Sequence, residues 1–255
     1  MPDQSVQPKP TEQHDTPPER RCDDCEYRPL LRGEGRCKPG DACIKAESGR
    51  QMDRFFRINP ELAVKYINDD FWERRAVTVR YLPQNILWSL MDDPDEVVRQ
   101  AVAGRIPEKE LVQMIADPDR EVRITVAMRL PMEYLEQMIA DEDNMVRLQV
   151  ARRMPKGHLF RLIGDEDRGV RLTVADRIPQ ESLALMMDDP ELEIRRRVAE
   201  RADPETAALM LVDKEWSVRW QASQIAPLNT LHILLDDPEP DVRESARERL
   251  EAEGE

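Results

Sequence analysis

Four cysteines, Cys22, Cys25, Cys37 and Cys43, share one short stretch, and the chain contains no others. Their spacing reads C-x2-C-x11-C-x5-C. Thiolates gathered this closely can converge on one inorganic centre, because soft sulfur donors bind zinc and iron–sulfur units in sets of four. A fold held by disulfides would instead scatter its cysteines. The C-x2-C pair lets two sulfurs approach a single centre, and Pro39-Gly40 supplies a turn that returns Cys43 towards Cys37. Gly33 and Gly35 loosen the connection between the two halves. Spacing alone leaves the occupant open. Structural zinc sites usually carry two tight knuckles, whereas the second half here is wider. Neither common ferredoxin spacing matches either.

Charges crowd the same stretch. Arg21, Arg28, Arg32, Arg36 and Lys38 can offset the negative charge of a thiolate-ligated centre, or can be ordinary surface bases; Asp23 and Asp24 act in the opposite sense. No second chemistry is legible. The chain has no P-loop, no nucleotide-binding glycine fingerprint and no H-E-x-x-H. Its three histidines are His14, His158 and His232, with no partner at ligand spacing in the repeats. A non-enzyme is expected.

The remainder of the chain must position that site, and it is periodic. An Asp recurs every 24 residues, at 69, 93, 117, 141, 165, 189, 213 and 237. An Arg follows each in register, at 75, 99, 123, 147, 171, 195, 219 and 243. Pro83, Pro107, Pro131, Pro155, Pro179 and Pro227 recur as well, and a partial copy, Ile58-Asn59-Pro60 through Asn68, precedes the first Asp. In the unit Asp93-Pro94-Asp95-Glu96-Val97-Val98-Arg99, Asp93 is expected as the N-cap and Pro94 as the first helical residue. Val98, Val102 and Ile106 form the apolar stripe of an α-helix. Pro107 ends it, and only nine residues remain before Asp117, so the second element is short and suits a 3-10 helix. Ala103, Ala127, Ala151, Ala175 and Ala199 mark where neighbouring helices approach. The Arg column has a structural expectation, pairing with the acid four residues earlier in its own helix (Asp119 with Arg123, for instance) and covering apolar surface with its stem. Two helical elements per unit and no alternating strand pattern give an all-α solenoid.

Composition bounds the partners. The chain of 255 residues carries a formal charge of −14. Residues 1–50 hold 10 acidic and 9 basic groups, leaving 42 and 29 in the rest, so the array is the acidic part. That balance argues against nucleic-acid binding, which needs a basic face. No run of apolar residues could span a membrane or serve as a signal peptide. Thiols clustered rather than paired over distance suit a reducing compartment, and a cytoplasmic location is expected. Residues 1–20, rich in Pro and polar groups, read as a flexible tail. Residues 21–55 read as the cysteine domain, and residues 56–255 as the array of about eight repeats.

A four-cysteine segment feeding directly into 24-residue units of the form D-P/E-D/E-x-x-V-R-x-x-V-A-x-R-I-P resembles the leucine-rich repeat variant family, in particular its members with an N-terminal [4Fe–4S] domain. The resemblance covers about residues 20–250. It implies alternating α- and 3-10 helices wound as a right-handed superhelix, with a [4Fe–4S] cluster ligated by Cys22, Cys25, Cys37 and Cys43, and zinc as the alternative. With all four iron positions taken by cysteine, none is left for a substrate. Asp203 departs from the pattern where a Pro is expected, and Ala207 where a Leu is expected. No reaction follows from the resemblance.

Two function classes remain. One is a protein-interaction scaffold with a redox-active or structural cluster, able to pass one electron to a docked protein. The other is a purely structural metal cap on a protein-binding solenoid. Trp216 and Trp220, four apart on one helix, are a candidate partner patch. Packing between repeats is the competing account.

Overall fold

The structure is a computed structural model and describes residues 22–252. The expected tail of residues 1–20, with His14, and Arg21 lie outside the described residues. Two compact units divide the chain, one ending at Pro107 and the other beginning at Glu108. The all-α expectation holds: among the described residues the one β feature is an isolated bridge between Lys38 and Ala42.

Each repeat contributes one long helix and one short element. In the first unit the long helices are Gly49–Ile58, Trp72–Val79 and Glu96–Ala103, and neighbours in this series pack together. In the second unit Arg120–Arg129, Asn144–Arg153, Arg168–Arg177, Leu192–Arg201, Trp216–Ser223 and Pro240–Ala252 stack in sequence. The stripe residues are sealed from water, with Val122, Val126, Val146, Val150, Val170 and Val174 fully buried. The recurring alanines, Ala103 through Ala199, are equally buried, as close helix approach requires. Each helix stops before its proline. Leu130, Met154 and Ile178 adopt ψ of 136, 140 and 145°, the extended backbone that a following Pro imposes.

The short elements are 3-10 helices at Glu108–Met114, Lys156–Leu162, Gln180–Met186 and Leu228–Leu234. Gln84–Leu87 and Met132–Leu135 open their short elements as single α-turns, and Pro204–Met210 is α-helical throughout. There Asp203 stands where other repeats have Pro, and its carboxylate accepts from the Thr206 amide at 2.8 Å, an N-cap that proline cannot make.

Two sequence expectations need correction. Asp93 is not the N-cap. Its Oδ1 accepts from the amide of Asp95 at 2.9 Å, forming a turn, and Asp95 caps the helix by accepting from Val97 N at 3.0 Å. The helix therefore starts two residues later than expected, after Pro94 rather than at it. The second correction concerns the Arg column. Arg123 does not pair with Asp119 of its own helix, whose carboxylate is occupied capping Glu121 and Val122. It reaches forward 18 residues to Asp141, Nε to Oδ2 at 2.9 Å and Nη2 to Oδ1 at 3.1 Å, while Nη1 bonds the carbonyl of Asp117 at 2.9 Å. Arg147, Arg171, Arg195 and Arg219 repeat this on Asp165, Asp189, Asp213 and Asp237. The structural role stands; the bonds run between repeats, not within one helix.

A second arginine column closes the helix ends. Arg153 donates to the carbonyl of Ala127 at 2.7 Å; Arg177 and Arg201 donate likewise to Ala151 and Ala175. Arg201 also reaches Ile178 O at 2.9 Å. These carbonyls belong to the last turn of the preceding helix, which has no intrahelical donors for them. The signal is present in the sequence, since Arg105, Arg129, Arg153, Arg177 and Arg201 also recur every 24 residues.

Candidate metal centre

The cysteine segment has little regular structure, so its shape is set by turns and by one helix. Cys22 and Cys25 share a tight turn in which Cys25 N donates to Cys22 O at 3.2 Å, and Arg28 N donates to Cys25 O at 3.1 Å. The turn after Cys37 is the expected one. Asp41 N and Ala42 N both donate to Lys38 O, at 3.1 and 2.9 Å, and Gly40 takes φ of +78°, which a residue with a Cβ rarely adopts.

The Gly49–Ile58 helix splints the second cysteine pair from both ends. Near its start, the Gln51 carbonyl accepts from Cys43 N at 3.2 Å. Just past its end, the side-chain amide of Asn59 donates to Arg36 O at 2.9 Å, fixing the residue before Cys37. Between them, Arg54 pairs with Asp41 of the turn. Met52, Phe55 and Phe56 anchor the helix in the core of this unit, and Phe55 packs on the Tyr27 ring with centroids 5.6 Å apart. Tyr27 lies two residues after Cys25, so the same helix also holds the first pair. Asn59 was legible only as part of a degenerate repeat; its role as a brace is visible only in three dimensions.

All four predicted residues, Cys22, Cys25, Cys37 and Cys43, are buried, and none is in a disulfide. Burial pushes the Cys37 thiol up to about 11, and the field of Cys43, Cys25 and Cys22 adds to it. Burial also raises Cys22, followed by the field of Cys43. Negative charge on Cys22 or Cys37 is thus opposed by burial and by the neighbouring cysteines, and a cationic centre beside them would offset that opposition. Among the described residues, no three His, Cys, Asp or Glu side chains are arranged to hold a single metal ion. The donor set itself, four buried unbridged thiols, has the chemistry of a sulfur-ligated cluster.

Of the bases near the site, most are occupied elsewhere. Arg28 pairs with Asp23 at 2.7 Å, Arg36 with Glu61 and, at 3.5 Å, with Glu34, and Lys38 lies 4.0 Å from Asp41. Arg32 has no ion pair among the described residues, and its charge acts downward on both Cys22 and Cys37.

The two described histidines, His158 and His232, build no site among the described residues. His158 contacts Glu136, which Arg161 also engages at 2.7 Å, and His232 is exposed. Trp216 and Trp220 are 44 and 39% exposed, so packing between repeats does not absorb them, while Ile124, Leu148 and Leu172 in the Trp220 column are half-buried. No helix among the described residues is long and apolar enough to cross a membrane.

Comparison with known proteins yields a consistent set of likenesses. The family described as LRV protein FeS4 cluster matches residues 18–65, and the family described as leucine rich repeat variant matches residues 168–191. A solved structure described as a leucine-rich repeat variant with a novel repetitive protein structural motif is 54% identical, over 90% of this chain and 98% of that chain, with a TM-score of 0.81. An uncharacterized 27.7 kDa protein in the nifB 3′ region of Rhodobacter capsulatus is 38% identical over 86 residues. That match spans 34% of this chain and 35% of the length of the curated relative.

Proposed function

The chain belongs to the leucine-rich repeat variant family, and from that premise we propose that Cys22, Cys25, Cys37 and Cys43 together hold one [4Fe–4S] cluster at the start of a solenoid that binds a protein partner. One observation carries the reading: every cysteine of the chain is buried, unbridged and confined to the segment that matches the FeS4 family. When bound, such a cluster supplies a one-electron couple. The chain's own residues shield it and hold its ligands. The Gly49–Ile58 helix fixes Cys43 through Gln51 and the approach to Cys37 through Asn59, and Arg32 places positive charge in the field of the sulfurs. A single zinc ion would need all four sulfurs about 3.8 Å from one another, given its bond lengths and tetrahedral geometry. A cluster asks for less convergence, because each sulfur meets its own iron.

We read the protein as a non-enzyme of the cytoplasm that presents its cluster beside a docked protein. A second reading has a specific observation behind it. The sulfur segment is braced into the core of the first unit by Asn59, Arg54 and Phe55, which suits a purely structural cap, iron–sulfur or zinc.

Anaerobic purification with iron, sulfide and zinc analysis tests the proposal. It expects about four irons and four sulfides per chain. One zinc and no sulfide would replace the cluster by the cap. Reversible reduction followed by EPR separates a redox role from a structural one.

A further inference from the structure

Among the exposed apolar side chains of the second unit, which include Phe160 and Val212, three share one column of the repeat. Leu185, Leu209 and Ile233 are 62, 59 and 58% exposed. They are 24 residues apart, at equivalent positions of the three consecutive short elements Gln180–Met186, Pro204–Met210 and Leu228–Leu234. The core positions of these elements are filled by other residues, Leu183, Ala207 and Leu231, all buried. The exposed three are therefore not core residues. In the earlier repeats the same column holds Gln113, Gln137 and Arg161, so the stripe begins at Leu185. Exposed apolar side chains are common singly, but three at one position of consecutive repeats make a periodic apolar track.

The rims of the track carry one sign of charge. Glu181 and Glu205 precede Leu185 and Leu209 by four residues, and both are exposed. Asp188 and Asp236 follow Leu185 and Ile233 by three, and they are exposed as well. Residues 180–188, 204–212 and 228–236 contain no Lys or Arg, whereas residues 156–164 contain Lys156 and Arg161.

We propose that this track docks a cationic amphipathic helix of a partner protein, its apolar anchors on Leu185, Leu209 and Ile233 and its Lys or Arg flanks on the acidic rims. The proposal rests on the reading of the array as a protein-binding scaffold and assigns that scaffold a surface and a partner chemistry. Packed helices lie about 8–10 Å apart. A helix rises about 10.5 Å over seven residues, so a heptad of apolar anchors meets one exposed side chain per repeat. A second copy of this chain would set acidic rims against acidic rims, and an anionic bilayer would be repelled in the same way.

The test uses the full chain with its cluster reconstituted anaerobically and a fluorescent three-heptad helical peptide, with Leu at each seventh position and Lys on both flanks. Controls exchange the flanking Lys for Glu or the Leu for Ser. The Lys peptide is expected to bind in preference to both controls, and more weakly as salt rises. Leu209→Ser should weaken it about tenfold, and the double variant Glu181→Lys, Glu205→Lys should shift preference towards the Glu peptide. All three positions are on the surface, and circular dichroism checks that each variant keeps its helical signal. Equal binding of the Lys and Glu peptides, or full binding by a Leu185→Ser, Leu209→Ser, Ile233→Ser variant, overturns the proposal. So does wild-type self-association, seen by ultracentrifugation, that the triple variant abolishes. Iron analysis of the same samples separates the two readings. Peptide discrimination without iron would remove only the cluster, and iron without discrimination would remove only the docking track.

Discussion

Arg147 grips Asp165 of the following repeat with two charge-assisted hydrogen bonds, Nε to Oδ2 at 2.7 Å and Nη2 to Oδ1 at 3.0 Å, and both side chains are almost wholly buried. Its third nitrogen, Nη1, bonds the Asp141 carbonyl of its own repeat at 2.8 Å. One guanidinium thus joins two repeats, and the same Asp165 carboxylate shapes the turn before the next helix by accepting from Asp167 N at 2.8 Å. Removing Asp165 strands Arg147 in a dry environment with the exposed Glu166 carboxylate, 3.0 Å from Nη2, as its remaining counter-charge among the described residues. Asp165→Ala is expected to destabilise the second unit by about 3–5 kcal/mol. Adding Arg147→Met to that variant should recover part of the loss, because it removes the stranded charge. Urea denaturation of the four combinations measures the coupling; additive effects would contradict it.

Close packing at the alanine column gives a second expectation. Ala151 is fully buried between stacked helices, whereas Met128 lies on the surface. Ala151→Leu should cost about 1–3 kcal/mol through overpacking. Met128→Leu should change stability by less than about 0.5 kcal/mol. Thermal melts of both variants against the parent decide the matter.

Acid should loosen the array in a defined direction. The Arg219 guanidinium beside Asp237 holds its carboxyl below the usual carboxylate range, against the opposing effect of burial. A carboxyl whose folded pKa lies under its unfolded value, about 3.9, adds stability that is complete above that value. The contribution disappears as pH falls through the folded pKa. Asp237→Asn lacks this group, so its urea midpoint should fall less than that of the parent between neutral and acid pH. An equal fall would mean that Asp237 contributes nothing to acid sensitivity.

The brace behind the cysteines is testable without reference to redox chemistry. Asn59 is fully buried, and its amide nitrogen serves both Arg36 O and Phe55 O at 2.9 Å. Asn59→Ala leaves the Arg36 carbonyl without that donor and should cost about 1–3 kcal/mol. Because Arg36 precedes Cys37, the variant should also lose iron faster on exposure to a chelator than an exposed control such as Met128→Leu. Equal loss rates would show that the helix does not position the ligand.

Much of this was legible in the chain. The 24-residue period identified the repeats, the prolines marked the helix ends, and the gap before each Asp forced a short second element. The partner of each Arg was not legible. Arg123 has an acid four residues back and another 18 residues ahead, and only the stacking of repeats selects Asp141. The N-cap was misplaced for a related reason: Asp93 and Asp95 are equivalent capping residues, and the demand of Arg75 on the Asp93 carboxylate, through bonds of 2.8 Å, is a contact between repeats. The cysteines announced a shared centre by their spacing. The splint that holds them did not announce itself, because Asn59 and Gln51 act through one amide nitrogen and one backbone carbonyl.

The central claim, that four sulfurs of one segment share one iron–sulfur centre, is tested most directly by anomalous diffraction at the iron edge from crystals grown without oxygen. The account predicts a single compact iron peak bonded to the Sγ atoms of Cys22, Cys25, Cys37 and Cys43. A peak at the zinc edge alone, or sulfur–sulfur bonds among these cysteines, would contradict it.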